Sequence, residues 1–185
     1  MNDTAREFAR LRALIDRLLP RTAPFLPGAT DQDLDRLATA TGLDLPADLV
    51  ALLRVSAGQD DPHQLHGPLN YHHFLTVDEI IDMHAVLTGA VGDLATPVAQ
   101  PSCYRWTVWS ESWLPFLAVD GDCYLLDLNP GDLGTAGQVV SRPNVPDLGE
   151  PLAPSLTAFL ARAADLVEAG RVEVEESTLV LLDLY

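Results

Sequence analysis

Helix-type and strand-type patterns occupy separate stretches of this 185-residue chain instead of alternating. Apolar residues recurring at three and four, bounded by caps, glycines and prolines, predict five helices, over residues 3–19, 31–41, 46–56, 77–88 and 155–169. Runs rich in aromatic and β-branched residues predict strands over residues 71–75, 103–109, 113–119, 123–128 and 138–141. Further strand structure is predicted in 171–185, and it is expected to join the same sheet. This order predicts an α+β fold with a largely antiparallel sheet, because a parallel sheet would require βαβ alternation.

Local signals define several of these boundaries. Thr30 and Ser155 stand where helix N-caps belong, and Thr76 with Glu79 forms the pattern of a capping box. Gly42 follows the last apolar position of the second helix and is suited to end it. Asp120-Gly121 separates two strand-like runs and predicts a tight hairpin turn.

The length and composition indicate one domain spanning residues 1–185. Apolar residues make up 48% of the chain, enough for one substantial core. The longest apolar runs fall far short of the roughly 20 residues that a membrane-spanning helix needs. The first residues alternate charged with apolar types and lack the pattern of a secretory signal. We therefore expect a cytoplasmic protein with no membrane partner.

The net charge is −16, from 27 acidic and 11 basic residues, and the chain contains no lysine. Such a surface disfavours nucleic acid and anionic membranes as partners. It would attract a strongly basic protein, such as a nuclease, by long-range steering. The charge taken alone favours a plainer interpretation, in which an acidic surface keeps the protein soluble or reflects adaptation to salt.

No pattern in the sequence predicts catalysis or metal binding. HExxH, a Walker loop, GxSxG and Cys/His knuckles are missing, and without lysine no lysine-based covalent chemistry is available. The prediction is no catalytic residue, no metal and no cofactor. His63, His66, His72 and His73 are expected to lie in or beside one loop and its strand without converging on one point, and His84 is expected to border the core of the fourth helix. Cys103 and Cys123 fit buried free thiols best, and a disulfide between neighbouring strands stays open.

Four segments, in fixed order, carry a family resemblance over about residues 28–170. They are Gly28-Ala29-Thr30; Leu45-Pro46-x-Asp48-Leu49 running to Gly58-Gln59; Trp113-Leu114-Pro115-Phe116 with Asp120-Gly121, Leu126-Asp127-Leu128-Asn129-Pro130 and Gly137-Gln138-Val139; and Ser155-Leu156-Thr157-Ala158-Phe159-Leu160. Their order and spacing resemble the SUKH superfamily of toxin-immunity proteins and fungal cell-wall regulators. Two positions depart from the pattern: Ala57-Gly58 replaces the usual Asn-Gly, and Ser155-Leu156 replaces Ser-Phe.

The resemblance implies a curved sheet flanked by helices, with a cleft used for binding rather than catalysis. Bacterial members resembling this chain are typically immunity proteins that neutralise a toxin, often a nuclease or deaminase. The alternative that the resemblance offers is a regulatory scaffold that binds signalling proteins. A toxin gene directly upstream would favour immunity, and an isolated gene would favour the scaffold.

The candidate partner-binding residues are acids at loop ends and aromatic residues at strand starts, where binding residues and interface anchors concentrate. They are Asp60, Asp61, Tyr71, Trp113, Asp120 and Asp122. For Trp113 the apolar neighbours Leu114-Pro115-Phe116 favour a core position over a role at the surface.

Overall fold

The computed structural model describes residues 2–60, 66–143 and 148–184. Five α-helices are present in this part of the chain: α1 (Asp3–Leu18), α2 (Asp31–Thr41), α3 (Ala47–Val55), α4 (Val77–Val91) and α5 (Leu156–Glu168). The strands are β1 (His73–Phe74), β2 (Trp113–Val119), β3 (Asp122–Asp127), β4 (Gln138–Arg142), β5 (Val172–Val174) and β6 (Leu179–Leu181).

Strands β1 to β4 form one antiparallel sheet in chain order, and β5 and β6 form a separate hairpin. Within the sheet, His73 pairs with Ala118, and β2 pairs with β3 from Val119–Asp122 at the turn to Trp113–Asp127 at the far end. The register shifts at Phe116, a β-bulge next to Pro115, which has no N–H to donate. The predicted α+β fold with an antiparallel sheet flanked by five helices is confirmed.

The helix boundaries agree closely with the capping signals. Thr30 with Asp33 and Thr76 with Glu79 form reciprocal capping boxes, and the Ser155 hydroxyl accepts the N–H of Ala158. Gly42 ends α2 in the left-handed conformation, with φ of 68°. Helix α4 continues to Val91, past the Gly89 at which the sequence pattern predicts its end.

Two strand predictions are wrong. Residues 103–109 form an irregular segment that makes backbone hydrogen bonds to a neighbouring loop: the Val98 N–H donates to the Arg105 carbonyl, and the Thr107 N–H donates to the Thr96 carbonyl. The positive φ of Val108 interrupts an extended conformation there, and two of the aromatic residues that suggested a strand, Tyr104 and Trp109, are buried in the core instead. The C-terminal segment, predicted to join the main sheet, forms the separate β5–β6 hairpin.

The core lies on both faces of the sheet. Phe116 and Tyr124 pack edge-on against Phe159 of α5, each with ring centroids 5.7 Å apart. On this face α5 packs against α1, and α4 packs against β2. Cys103 and Cys123 are both free thiols, as the sequence favours, but only Cys123 is buried, and Cys103 is half-buried. Burial raises the pKa of the Cys123 thiol to about 12.

Candidate partner-binding surface

The turn between β2 and β3 is one end of the sheet and carries two of the predicted acids. Asp120 and Gly121 have φ of 48° and 88°, the two left-handed residues that a type I′ hairpin turn requires. The predicted Asp-Gly turn is therefore confirmed. Asp120 is exposed at its tip, and Asp122 is half-buried where β3 begins.

Asp60 reaches the same end of the sheet through the segment that follows α3. The Gln59 N–H donates to the Phe74 carbonyl, and the Phe74 N–H donates to the Gln59 side chain, both at 3.0 Å. Gly58 lies against the backbone of Leu75 with φ of 98°, and a Cβ there would come within 2.6 Å of that backbone. The segment thus runs antiparallel to β1 and leads exposed Asp60 toward the end of the sheet that carries the β2–β3 turn. Asp61, the next predicted residue, lies outside the described residues, as does His63.

Tyr71 stands just before β1, again at this end, and is half-buried. Its φ of 68° breaks the predicted strand 71–75, so that only His73–Phe74 are regular. The phenol donates to the Glu175 carboxylate at 2.9 Å, and this bond raises the Tyr71 pKa. The Tyr71 N–H donates to the Thr178 hydroxyl at 2.8 Å.

These contacts bring in acids that sequence reasoning missed. Glu173, Glu175 and Glu176 are exposed on the β5–β6 hairpin and its turn. Their alternation with valine indicated a strand, but no local signal tells where a C-terminal hairpin docks. We call the surface formed by Asp60, Tyr71, Asp120, Asp122, Glu173, Glu175 and Glu176 the acidic end.

Asn70 fastens the hairpin to the sheet. Its side-chain amide donates to the buried Tyr124 hydroxyl at 3.0 Å, and its side-chain oxygen accepts the N–H of Leu181 at 2.8 Å. The Asn70 N–H donates to the Leu179 carbonyl at 2.9 Å, and the Leu179 N–H donates to Pro68. The buried Asn70 amide is therefore one of the groups that hold the hairpin, and with it Glu175, beside Tyr71.

Trp113 takes no part in the acidic end. It is 1% exposed and packs edge-on against Trp109, with ring centroids 5.8 Å apart. It pairs with Asp127 at the far end of the sheet. Trp113 is therefore a core residue, the alternative that its apolar neighbours favour.

Arginine neutralises carboxylates mainly on the helices. Ion pairs with Asp or Glu are made by the arginines of α1, α2 and α3 and by the one before β5: Arg6, Arg10, Arg12, Arg36, Arg54 and Arg171. Arg142 lies near the β2–β3 turn but is 6% exposed, and it donates to the carbonyls of Val108 and Gly121. Within the described residues, six of the eleven arginines are thus held in ion pairs with carboxylates.

The histidines are held individually within the described part of the chain. His72 stacks on Tyr124, with centroids 4.2 Å apart, and burial lowers its pKa. His73 Nε2 lies 3.5 Å from a Glu79 oxygen, and His84 Nε2 lies 2.9 Å from the Glu111 carbonyl oxygen. Among residues 2–60, 66–143 and 148–184, no three His, Cys, Asp or Glu side chains are grouped so as to hold a metal ion.

Five helices around a four-stranded antiparallel sheet, with a smaller hairpin docked on one end, form a fold of the SUKH type. The sequence model of the SMI1 / KNR4 family (SUKH-1) matches residues 28–162, well over half of the chain. The chain belongs to this family, and the resemblance stated from its motifs is confirmed. No curated protein matches the chain.

Family membership supports a non-catalytic immunity or regulator protein that acts through protein–protein interactions, because the family is generally non-enzymatic. None of the helices in the described ranges combines the length and apolar character that crossing a membrane demands.

Proposed function

We propose that this protein is a cytoplasmic immunity protein that neutralises a basic, nuclease-type toxin by binding it through the acidic end. One observation carries the proposal: acids from three segments far apart in the sequence lie at the same end of the sheet. These are Asp60 after α3, Asp120 and Asp122 at the β2–β3 turn, and Glu175 beside Tyr71.

A concentrated negative surface suits the groove of a nuclease, whose cationic side chains are arranged to bind phosphates. Complementary charge speeds encounter and suppresses wrong partners, so the acids at the rim would act mainly on association. Half-buried Tyr71 supplies the amphipathic ring that interface hot spots favour. Nucleic acid itself is repelled by the same surface.

Neutralising the acidic end is expected to slow toxin association about tenfold at low salt and to flatten its salt dependence. The variant Asp60→Asn/Asp120→Asn/Asp122→Asn removes three charges and replaces each carboxylate with an amide of nearly the same shape. The measurement is the association rate by surface plasmon resonance over a series of salt concentrations, with the toxin encoded beside this gene.

The matched control is Asp44→Asn/Asp93→Asn/Asp132→Asn, which removes the same charge from exposed positions at the opposite end of the sheet. Asp93 follows the C-terminus of α4, about 20 Å from the Glu79 end at 1.5 Å per residue. We expect this variant to associate nearly as fast as the wild-type protein. If both variants slowed association equally, net charge alone would explain the effect, and the acidic end would be rejected as the binding surface.

The immunity role is tested in cells that express the neighbouring toxin. Coexpression of the wild-type chain is expected to restore growth, and the acidic-end variant is expected to protect less at matched protein levels. Absence of both protection and toxin binding would reject immunity and leave the regulatory scaffold as the better account.

A further inference from the structure

We infer that the groove between α4 and the β2–β3 turn is a docking site for an apolar side chain flanked by basic residues, carried by a segment of the partner protein. The groove has a volume of about 340 Å³. This is the lower end of the range of about 300–1,000 Å³ for ligand pockets, room for an anchoring side chain rather than a cofactor. The inference rests on the proposed function in taking the partner to be basic.

The floor and outer wall of the groove are apolar although α4 already has a buried side. Ile80 and His84 face the core, whereas Met83, Val86 and Leu87 line the groove together with Leu75. Val86 is 64% exposed, as much as any large apolar residue in the described part of the chain. Because α4 is apolar on two sides and only one of them is buried in the core, the other apolar side is available to a partner.

The charges at the groove are acidic. Glu79 and Asp82 lie on the same face of α4 as Met83, at helical spacing, and Gly121 of the β2–β3 turn closes the other side, beside Asp120. Burial raises the Glu79 pKa, but the nearby His73 ring and hydrogen bonds from the backbone and hydroxyl of Thr76 lower it to about 2, so this carboxylate stays ionised. Among the described residues that line the groove there is no arginine.

This combination selects the occupant by charge complementarity. An acidic segment would be repelled by Glu79 and Asp82, and a purely polar basic segment would leave Met83, Val86 and Leu87 in water. A segment with an apolar side chain next to arginine or lysine satisfies both, because the aliphatic stems of the basic residues also cover apolar surface. The groove adjoins the acidic end at Asp120, so one basic partner can contact both.

The test requires only this chain and three synthetic peptides. The first peptide repeats leucine and arginine at helical spacing; in the second every leucine is replaced by serine, and in the third every arginine is replaced by glutamate. We expect the first to bind about tenfold more tightly than the second and the third not to bind. In ¹⁵N NMR titrations its largest shifts should fall on residues 79–87 and 120–122.

Two variants of the full chain locate the site. Val86→Gln is expected to weaken the first peptide about tenfold, and Asp82→Asn several-fold. Leu133→Gln, which alters a loop residue that is also 64% exposed, is the matched control and should leave binding unchanged. Because Val86 and Asp82 are exposed, circular dichroism should show both variants folded.

Equal binding of the arginine–leucine and arginine–serine peptides would overturn the inference, as would shifts spread evenly over the acidic surface or an equal loss in Leu133→Gln. The result is independent of the growth assay. If the chain fails to protect cells but binds the peptides selectively, the immunity role is rejected and the groove remains a docking site. If the chain protects cells but binds the peptides without selectivity, only the docking site is rejected.

Discussion

Replacing Asn70 with alanine is expected to lower the free energy of unfolding by about 3 to 4 kcal/mol. The change removes the side-chain bonds of Asn70 to the buried Tyr124 hydroxyl and to the Leu181 N–H. Loss of a buried hydrogen bond costs about 0.5–1.5 kcal/mol, and a buried N–H left without its partner costs about 1–3 kcal/mol. Asn70 also has a φ of 48°, which asparagine tolerates better than alanine, adding about 1 kcal/mol. Urea unfolding followed by circular dichroism measures the loss.

The loss should be concentrated at the C-terminal hairpin. Hydrogen exchange is expected to accelerate at the Leu179 and Leu181 amides more than within β3, because Asn70 joins the hairpin to Tyr124. Asn129→Ala, at an exposed loop position, is the control and should cost under about 0.5 kcal/mol. A similarly small effect of Asn70→Ala, with hairpin exchange unchanged, would show that the hairpin docks without this amide.

As the pH rises from about 4 to about 8, the free energy of unfolding of the wild-type protein is expected to fall by about 2 to 3 kcal/mol relative to that of an Asp127→Asn variant. Asp127 is 0% exposed, and burial raises its pKa from 3.8 to about 6 despite hydrogen bonds from the Asn129 N–H and the Gln138 amide. The folded state therefore binds a proton that the unfolded chain releases. Its stabilising contribution is complete below pH 3.8 and is lost as the pH rises through about 6.

The measurement is urea unfolding of both proteins across this pH range. Comparison with the variant cancels the pH-dependent contributions of the other carboxylates, which both proteins share. One of these is Glu79, whose pKa is lowered to about 2, so that its contribution to stability is lost as the pH falls. The absolute stability of Asp127→Asn is not the test, since an amide changes the pairing with Gln138. Parallel pH curves for the two proteins would mean that Asp127 has the same pKa folded and unfolded.

The elements predicted best are those whose signals are local. The caps at Thr30, Thr76 and Ser155 act on N–H groups three residues away, and Asp120-Gly121 adopts its turn because few other pairs accept two positive φ angles. The segment 103–109 was mispredicted because aromatic and β-branched residues fill a core equally well from a strand or from an irregular loop.

The candidate site divides in the same way. Asp60, Asp120 and Asp122 are recognisable as acids at loop ends, and the exposed groove face of α4 follows from apolar residues on two of its sides. The apolar neighbours of Trp113 in the sequence indicated that it would be buried. Nothing near Glu175 in the sequence indicates Tyr71 as its hydrogen-bond partner, because the two residues are more than a hundred positions apart.

By itself, the sequence determined the helices, the antiparallel hairpin, the family and the excess of negative charge, since each depends on residue types at short spacing or on a simple sum. Only the tertiary structure decided where that charge is concentrated. The antiparallel path of Gly58–Asp60 along β1 and the Asn70 contacts of the C-terminal hairpin bring distant acids to one end of the sheet. Such contacts depend on backbone direction and on the pairing of buried polar groups across the fold, which local patterns do not encode.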